Sequence, residues 1–331
     1  METYRFLVIQ TAFIGDAILA TAVLEELHLN YPRASLDLLV RKGNESLFEN
    51  HPHIGNLYIW DKSSNKLTNL ISTIRAIRKE RYTRVINLHR FLSSGLITAL
   101  SRADSKAAFD KNPLSLACQI RVPHLIGVDH RHEVERNAQL IRDLTTKHVI
   151  RPRLYPHKDH EEKVAPLKRS AYICIAPTSV WFTKQLPREK WLGLLEKLPR
   201  EYNVYLLGAP CDMNECQSLI QASSNQKVKN LAGKLSLLES AALMKDAAMN
   251  YVNDSAPLHL ASAINARVTA VFCSTTPQLG FGPLSDVKHV VQTNEKLECR
   301  PCGIHGYAQC PEKHFRCAGK ITIEQLLNTL E

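Results

Sequence analysis

Arg5 to Leu27 reads RFLVIQTAFIGDAILATAVLEEL, and it restricts the fold more than any other stretch of the chain. Phe6 to Ile9 is an unbroken apolar run, which suits a strand buried on both faces. Thr11 to Gly15 forms a turn. From Asp16 onward, Ile18, Leu19, Val23, Leu24 and Leu27 recur at helical spacing, so a helix begins at or just before Asp16. A buried strand, a glycine-containing turn and a helix are how a doubly wound α/β domain opens. Asp16 then lies at the carboxyl edge of the first strand, where open α/β sheets hold their ligands. It also lies where an acidic residue caps a helix and complements its dipole. Local sequence leaves both roles open.

The strand–helix alternation continues. Ser35 to Val40, Asn56 to Ile59 and Arg84 to Leu88 read as strands, with helical patterns at Leu67 to Arg78 and Ser93 to Leu100. His89 and Arg90 follow the fourth strand, again at a carboxyl end and again as candidate ligand residues. Arg131 to Leu144 reads as an amphipathic helix. Lys147 to Arg169 is charged, holds three prolines and shows little periodicity, which predicts a linker. The rhythm then restarts with strands at Tyr172 to Ala176, Asn203 to Leu207, Asn250 to Val252 and Val268 to Phe272. The expected organisation is two Rossmann-like, doubly wound parallel-sheet domains, 1–155 and 156–331, facing a central cleft. The final helix, 322–331, is amphipathic and free to pack back on the first domain.

At 331 residues the chain fits two domains of ordinary size. Its apolar runs are too short for a membrane span, and its N-terminus has no signal-peptide pattern, so a cytoplasmic location is expected. A formal net charge of +10 favours an anionic partner. Without a nucleic-acid-binding module, that partner is expected to be a phosphorylated or membrane-associated substrate and not nucleic acid. The first strand is followed by neither G-x-G-x-x-G nor GK[ST], which disfavours a dehydrogenase or a P-loop enzyme.

Three segments of the second domain lie where strands end. Ala176 to Pro187 (APTSVWFTKQLP) places hydroxyls, including Ser179, and then Lys184 ahead of a helix, as a phosphate or diphosphate requires. Leu207 to Asp212 (LGAPCD) is a glycine turn in which Asp212 reads as a ribose contact or as an N-cap. Val252 to Ala261 (VNDSAPLHLA) ends a strand in Asn-Asp-Ser and starts a helix with proline. The amides of Ser255 and Ala256 there can meet an anion, and His259 can face either ligand or core.

Taken together, these motifs resemble glycosyltransferase family 9, the lipopolysaccharide heptosyltransferases, over almost the whole chain. The resemblance rests on Ile14-Gly15-Asp16, Asn87-Leu88-His89-Arg90, Lys184-Gln-Leu-Pro187 with Trp191, Gly208-Ala-Pro210 and Asp254-Ser-Ala-Pro-Leu-His259. It implies a GT-B fold and inverting transfer of heptose from an ADP-heptose-like donor to a lipid-linked core oligosaccharide, without an essential metal. The acceptor would bind the N-terminal domain, through His89 and Arg90, and the donor the C-terminal one. Asp16 matches the catalytic base, and Lys184 the lysine that holds the diphosphate and steadies the leaving group. Ser179 falls in the loop before that lysine, Asp212 matches the ribose contact, and Leu235 lies where adenine is flanked. Asp254, Ser255, Ala256 and His259 match the loop and helix start around the diphosphate and sugar. Ala256 stands where the family usually has glycine, which keeps a different nucleotide sugar or glycan acceptor as an alternative. A non-catalytic binding protein on the same fold is another, which the presence of both Asp16 and Lys184 opposes. Peripheral contact with an anionic membrane face at the inner membrane is also expected.

The chain has nine cysteines, and Cys299, Cys302, Cys310 and Cys317 fall in one short segment. C-x2-C followed by two more cysteines has metal-ligand spacing, so a structural zinc is expected there, with free thiols or a disulfide as alternatives.

Overall fold

The opening run folds as β1 (Arg5–Gln10), and Phe6 to Ile9 are completely buried between two parallel neighbours. The computed structural model describes residues 4–149 and 151–330, and the chain divides into two units after Tyr155. In the first unit β1 leads into α1 (Ile14–Asn30). Next come β2 (Ser35–Arg41), β3 (Ile54–Trp60), α2 (Lys66–Ile77), β4 (Tyr82–Asn87), α3 (Leu92–Leu100), β5 (Ala103–Phe109), β6 (Ile120–Val122) and α4 (Glu133–Ala138). The strands make one parallel sheet in the order β3-β2-β1-β4-β5-β6.

The second unit begins with α5 (Lys158–Val164) and β7 (Tyr172–Ala176). It continues through α6 (Arg188–Lys197), β8 (Asn203–Leu206), α7 (Met213–Ala222), β9 (Val228–Asn230), α8 (Leu237–Lys245), β10 (Met249–Asn253), α9 (Ala256–Ala263), β11 (Val268–Phe272) and β12 (Lys288–Gln292). Short helices α10 (Arg316–Gly319) and α11 (Ile323–Leu327) close it. Its sheet order, β12-β11-β10-β7-β8-β9, is that of the first unit read from the other edge. Both sheets therefore have the doubly wound α/β order, which reverses direction once, between β1 and β4 and between β7 and β10.

The sequence announces every inner strand except β5, and also the edge strand β3. Ala103 to Phe109 (ADSKAAF) lacks the β-branched signature and pairs because β4 offers it a free edge. β6, β9 and β12 are the other outer strands of their sheets.

Two expectations are corrected. Lys147 to Arg169 is not an irregular linker, because α5 lies within it and packs on α8, with Val164 buried and Lys163 Nζ 2.9 Å from Glu239. The final helix does not leave its own unit. Leu326 is buried in the second core, Tyr251 donates to the Leu326 carbonyl at 3.2 Å, and Thr269 donates to Thr329 at 2.7 Å. Glu331, the last residue of that expected helix, lies outside the described residues.

The helix that carries Asp16 is held on both sides. Ala17 to Leu24 are buried, and Thr145, Val149, Arg153 and Tyr155 all hydrogen-bond to the helix. Glu26, 1% exposed, accepts from Thr145 Oγ1 at 2.6 Å and from the Val149 amide at 2.9 Å. Thr21 Oγ1 accepts the Arg153 amide at 2.8 Å, and Tyr155 donates to Glu25 at 2.9 Å. Removing the carboxylate strands buried donors, so Glu26→Ala should cost about 3 kcal/mol. Denaturant unfolding of the variant against wild type measures this loss.

Candidate active site

The first reversal of strand order brings the ends of β1 and β4 together. Thr11 Oγ1 lies 2.9 Å from His89 Nδ1, and the His89 amide donates to Asn87 Oδ1 at 2.9 Å. Burial, with Lys62 and Arg90 nearby, pushes the His89 imidazole down to about 3, so the ring is neutral at working pH. Asp16 is the third residue of α1, and its Oδ2 accepts the Phe13 amide at 3.3 Å, the returning half of a capping box. Burial and then the charge of Glu133 push its carboxyl up to about 6, while Arg90 draws it down. Glu133 starts α4, which packs on α1. It is held as a buried anion by Arg136 Nε at 2.8 Å and by His124 at 3.6 Å. Asp16 is thus a carboxylate with raised proton affinity, and Arg90 acts on both it and the His89 ring.

The second reversal joins the ends of β7 and β10. Asn253, fully buried, spans the junction by donating to the Pro177 carbonyl at 2.8 Å and accepting the Leu186 amide at 2.9 Å. Lys184 Nζ pairs with Asp254 Oδ2 at 2.8 Å, and the same oxygen accepts from Thr275 Oγ1 at 2.6 Å. Ser179 lies in the loop between Pro177 and Lys184, and its carbonyl accepts from Gln185 Nε2 at 2.6 Å. Ser255 is the N-cap of α9 and Ala256 its first residue, so their amides head a helix that follows the reversal. Ala256 has no positive φ, so the backbone takes its methyl without strain. His259 lies one turn further on, buried, edge-on to the Phe281 ring at 6.5 Å.

The loops after β8 and β9 are neighbours, because the Gly233 amide donates to the Gly208 carbonyl at 2.9 Å. They carry Asp212 and Leu235. Asp212 Oδ2 accepts the Ala209 amide at 2.7 Å across the turn Pro210–Asp212, while as N-cap of α7 its side chain makes no cap hydrogen bond. A β-carbon at Gly208 would come within 2.8 Å of the Asp212 β-carbon, which explains the glycine there.

Several residues at these sites carry no local motif. Lys62, after β3, donates to the Thr11 carbonyl at 2.6 Å and stands 4.6 Å from the Trp60 ring centroid. Burial and the charges of Arg41 and Lys66 push it down to about 8. Its position follows only from the pairing of β3 with β2. Asn253 stood inside a recognised motif without a role, and Thr275 had no signal.

The zinc expectation does not fit. Among the described residues no three His, Cys, Asp or Glu side chains stand together as a metal-binding group. Cys302 Sγ is turned to the Cys299 carbonyl at 3.3 Å, and Cys299 Sγ lies 3.9 Å from His314 Nε2. None of the four is in a disulfide, and burial, followed by the neighbouring Cys302 and Cys310, pushes Cys317 up to about 11.

The family model for glycosyltransferase family 9 (heptosyltransferase) matches residues 70–316. The chain is 26% identical over 277 residues to lipopolysaccharide heptosyltransferase 3 of Escherichia coli, covering 80% of this chain and 82% of that one. It is 23% identical over 313 residues to lipooligosaccharide heptosyltransferase 2 of Haemophilus influenzae, covering 88% and 89%. Among solved structures, a family 9 glycosyltransferase from Veillonella parvula aligns with a TM-score of 0.83 at 18% identity, over 98% of this chain and 95% of that one. E. coli ADP-heptose lipopolysaccharide heptosyltransferase II aligns with a TM-score of 0.81 at 19% identity, over 98% and 97%. The two six-stranded parallel sheets are those of the GT-B fold. The chain belongs to glycosyltransferase family 9, and its activity is that of a heptosyltransferase.

The raised proton affinity of Asp16 is directly measurable. Its carboxyl should titrate near pH 6 in a carbon-13 NMR experiment. Glu133→Gln removes a negative neighbour, so the midpoint should move down.

Proposed function

We propose that the chain transfers heptose from an ADP-heptose donor to the inner core of lipopolysaccharide with inversion at the anomeric carbon. The donor binds the second unit and the acceptor the first. Asp16 removes the proton of the acceptor hydroxyl as its oxygen attacks the anomeric carbon. The bond from that carbon to the β-phosphate oxygen breaks on the opposite face, and ADP leaves. Lys184 and the amides of Ser255 and Ala256 meet the charge that develops on the diphosphate. Asp212 and Leu235 hold ribose and adenine, while His89 and Arg90 contact the acceptor.

The observation that carries this reading is the position of Asp16, at the reversal point of the first sheet with a carboxyl held near 6. A base of that strength is ionised at neutral pH yet still takes up a proton as the hydroxyl attacks. The cations Arg41, Lys62, Lys66 and Arg90, set around the same strand ends, favour a phosphorylated or carboxylated core sugar.

Asp16→Asn should lower kcat by about a thousandfold or more while leaving ADP affinity by calorimetry unchanged. Wild-type kcat/KM should fall about tenfold per pH unit below about pH 6, because protonation removes the base. Turnover near wild type in Asp16→Asn would overturn the assignment.

Peripheral membrane contact belongs to the same proposal. Among the described residues no helix is long and apolar enough to cross a bilayer. The loops following β4, β5 and β6 instead expose Phe91 (64%), Leu116 (82%) and Val128 (70%) beside exposed Lys111 and Arg131. Exposed apolar side chains set among cations suit an anionic lipid face. Wild-type protein should sediment with phosphatidylglycerol vesicles more than with phosphatidylcholine vesicles. Leu116→Ser/Val128→Ser should lose about tenfold of that binding, from the apolar area withdrawn.

A further inference from the structure

The cysteine-bearing segment packs against the loop that carries Lys184. We propose that residues 299–315 form a strap that positions Lys184 for the donor diphosphate, with Thr183 as its fastening point. This rests on the reading of Lys184 as a donor-site residue.

The strap is anchored at its start. The Arg300 guanidinium donates to the carbonyls of Cys273 at 2.8 Å, Phe272 at 3.1 Å and Thr275 at 2.7 Å, and to Gln292 Oε1 at 2.8 Å. The Cys302 amide donates to the Ser274 carbonyl at 2.8 Å. This fixes the strap to the end of β11, beside Thr275, the hydroxyl partner of Asp254.

It then crosses the lysine loop and grips it twice. The Thr183 amide donates to the Tyr307 carbonyl at 3.1 Å, and the Tyr307 amide donates to Thr183 Oγ1 at 2.8 Å. The same hydroxyl lies 3.1 Å from Ser274 Oγ. Phe315, at the far end, stacks on Phe182 with ring centroids 5.1 Å apart. Gly306 passes so close that a β-carbon on it would lie 2.9 Å from Thr183 Oγ1 and 3.0 Å from Lys184 Cγ. Its φ of +77° is a second reason for glycine.

The residues on either side of the strap's grip are thus Phe182 and Lys184, and the stem of the lysine lies against Gly306. On its other side the ammonium is held by Asp254. A long, flexible lysine side chain loses rotamer freedom when fixed for one ligand. Here the strap and Asp254 restrict it before any ligand arrives, which is the physical basis of preorganised affinity. Thr183 is therefore a positioning residue, acting through Lys184 without touching the substrate.

The test compares Thr183→Val, Thr183→Ser, Phe315→Leu and Lys184→Ala in the full chain. ADP affinity is read by calorimetry, steady-state constants are measured for donor and acceptor, and melting is followed by circular dichroism. Thr183→Val should weaken ADP binding about tenfold and raise the donor KM, leaving the acceptor KM unchanged. Thr183→Ser, which keeps the hydroxyl, should stay within about twofold of wild type. Phe315→Leu loosens the opposite end of the grip and should weaken ADP binding in the same direction, which keeps the proposal testable if Thr183→Val does not fold. Wild-type ADP affinity in both folded Thr183→Val and Phe315→Leu, with Lys184→Ala weakened, would overturn the strap while sparing the lysine. Unchanged affinity in Lys184→Ala would instead remove the reading on which the strap rests.

Discussion

The structure depends on one topological constraint met twice: where strand order reverses, two adjacent parallel strands send their connections to opposite faces of the sheet. The chain leaves an open crevice there, floored by backbone that must find partners without a continuing ladder. At the first reversal, Thr11 and His89 bond across the gap. At the second, the carboxamide of Asn253 takes an amide from one side and gives a hydrogen to the other. These neutral groups fix the floors, so the charged residues that follow each strand are presented from rigid positions.

The two crevices are given opposite chemistry. The first holds Asp16, whose proton affinity is raised by burial and by a second buried carboxylate, Glu133. The second holds Lys184, paired with Asp254 and flanked by a helix start. Asp254 keeps that cation oriented, and the hydroxyl of Thr275 fixes Asp254 in turn. Asp16 is thus coupled to Glu133 at the start of α4, and Lys184 to Asp254 after β10.

Asp16, Lys184 and the Asp254 to His259 run were legible because each directly follows a strong β-strand pattern, so topology alone puts it at a sheet edge. Asp212 kept two meanings in the sequence, and its bond to the Ala209 amide decides neither, because it closes the turn before α7 without capping that helix. Lys62 and Thr275 were not legible, because they approach through tertiary pairing with no local spacing to announce it. β5 was not legible for a related reason: Ala103 to Phe109 becomes a strand by docking on β4, not by its own composition. The spacing of the cysteine cluster is a statement about sequence distance and does not foretell which contacts the segment makes. In the folded segment, Cys302 is turned to a backbone carbonyl and the arm is spent on gripping a loop.

The repeated strand order has a consequence for how such a chain diversifies. All the groups read as acceptor contacts lie on connections of the first unit, whereas the lysine and its supports lie wholly in the second. Insertions or replacements after β3, β4, β5 or β6 can therefore accumulate without touching any residue that holds Lys184. A lineage can keep the unit that holds Lys184 unchanged while the connections of the other unit drift.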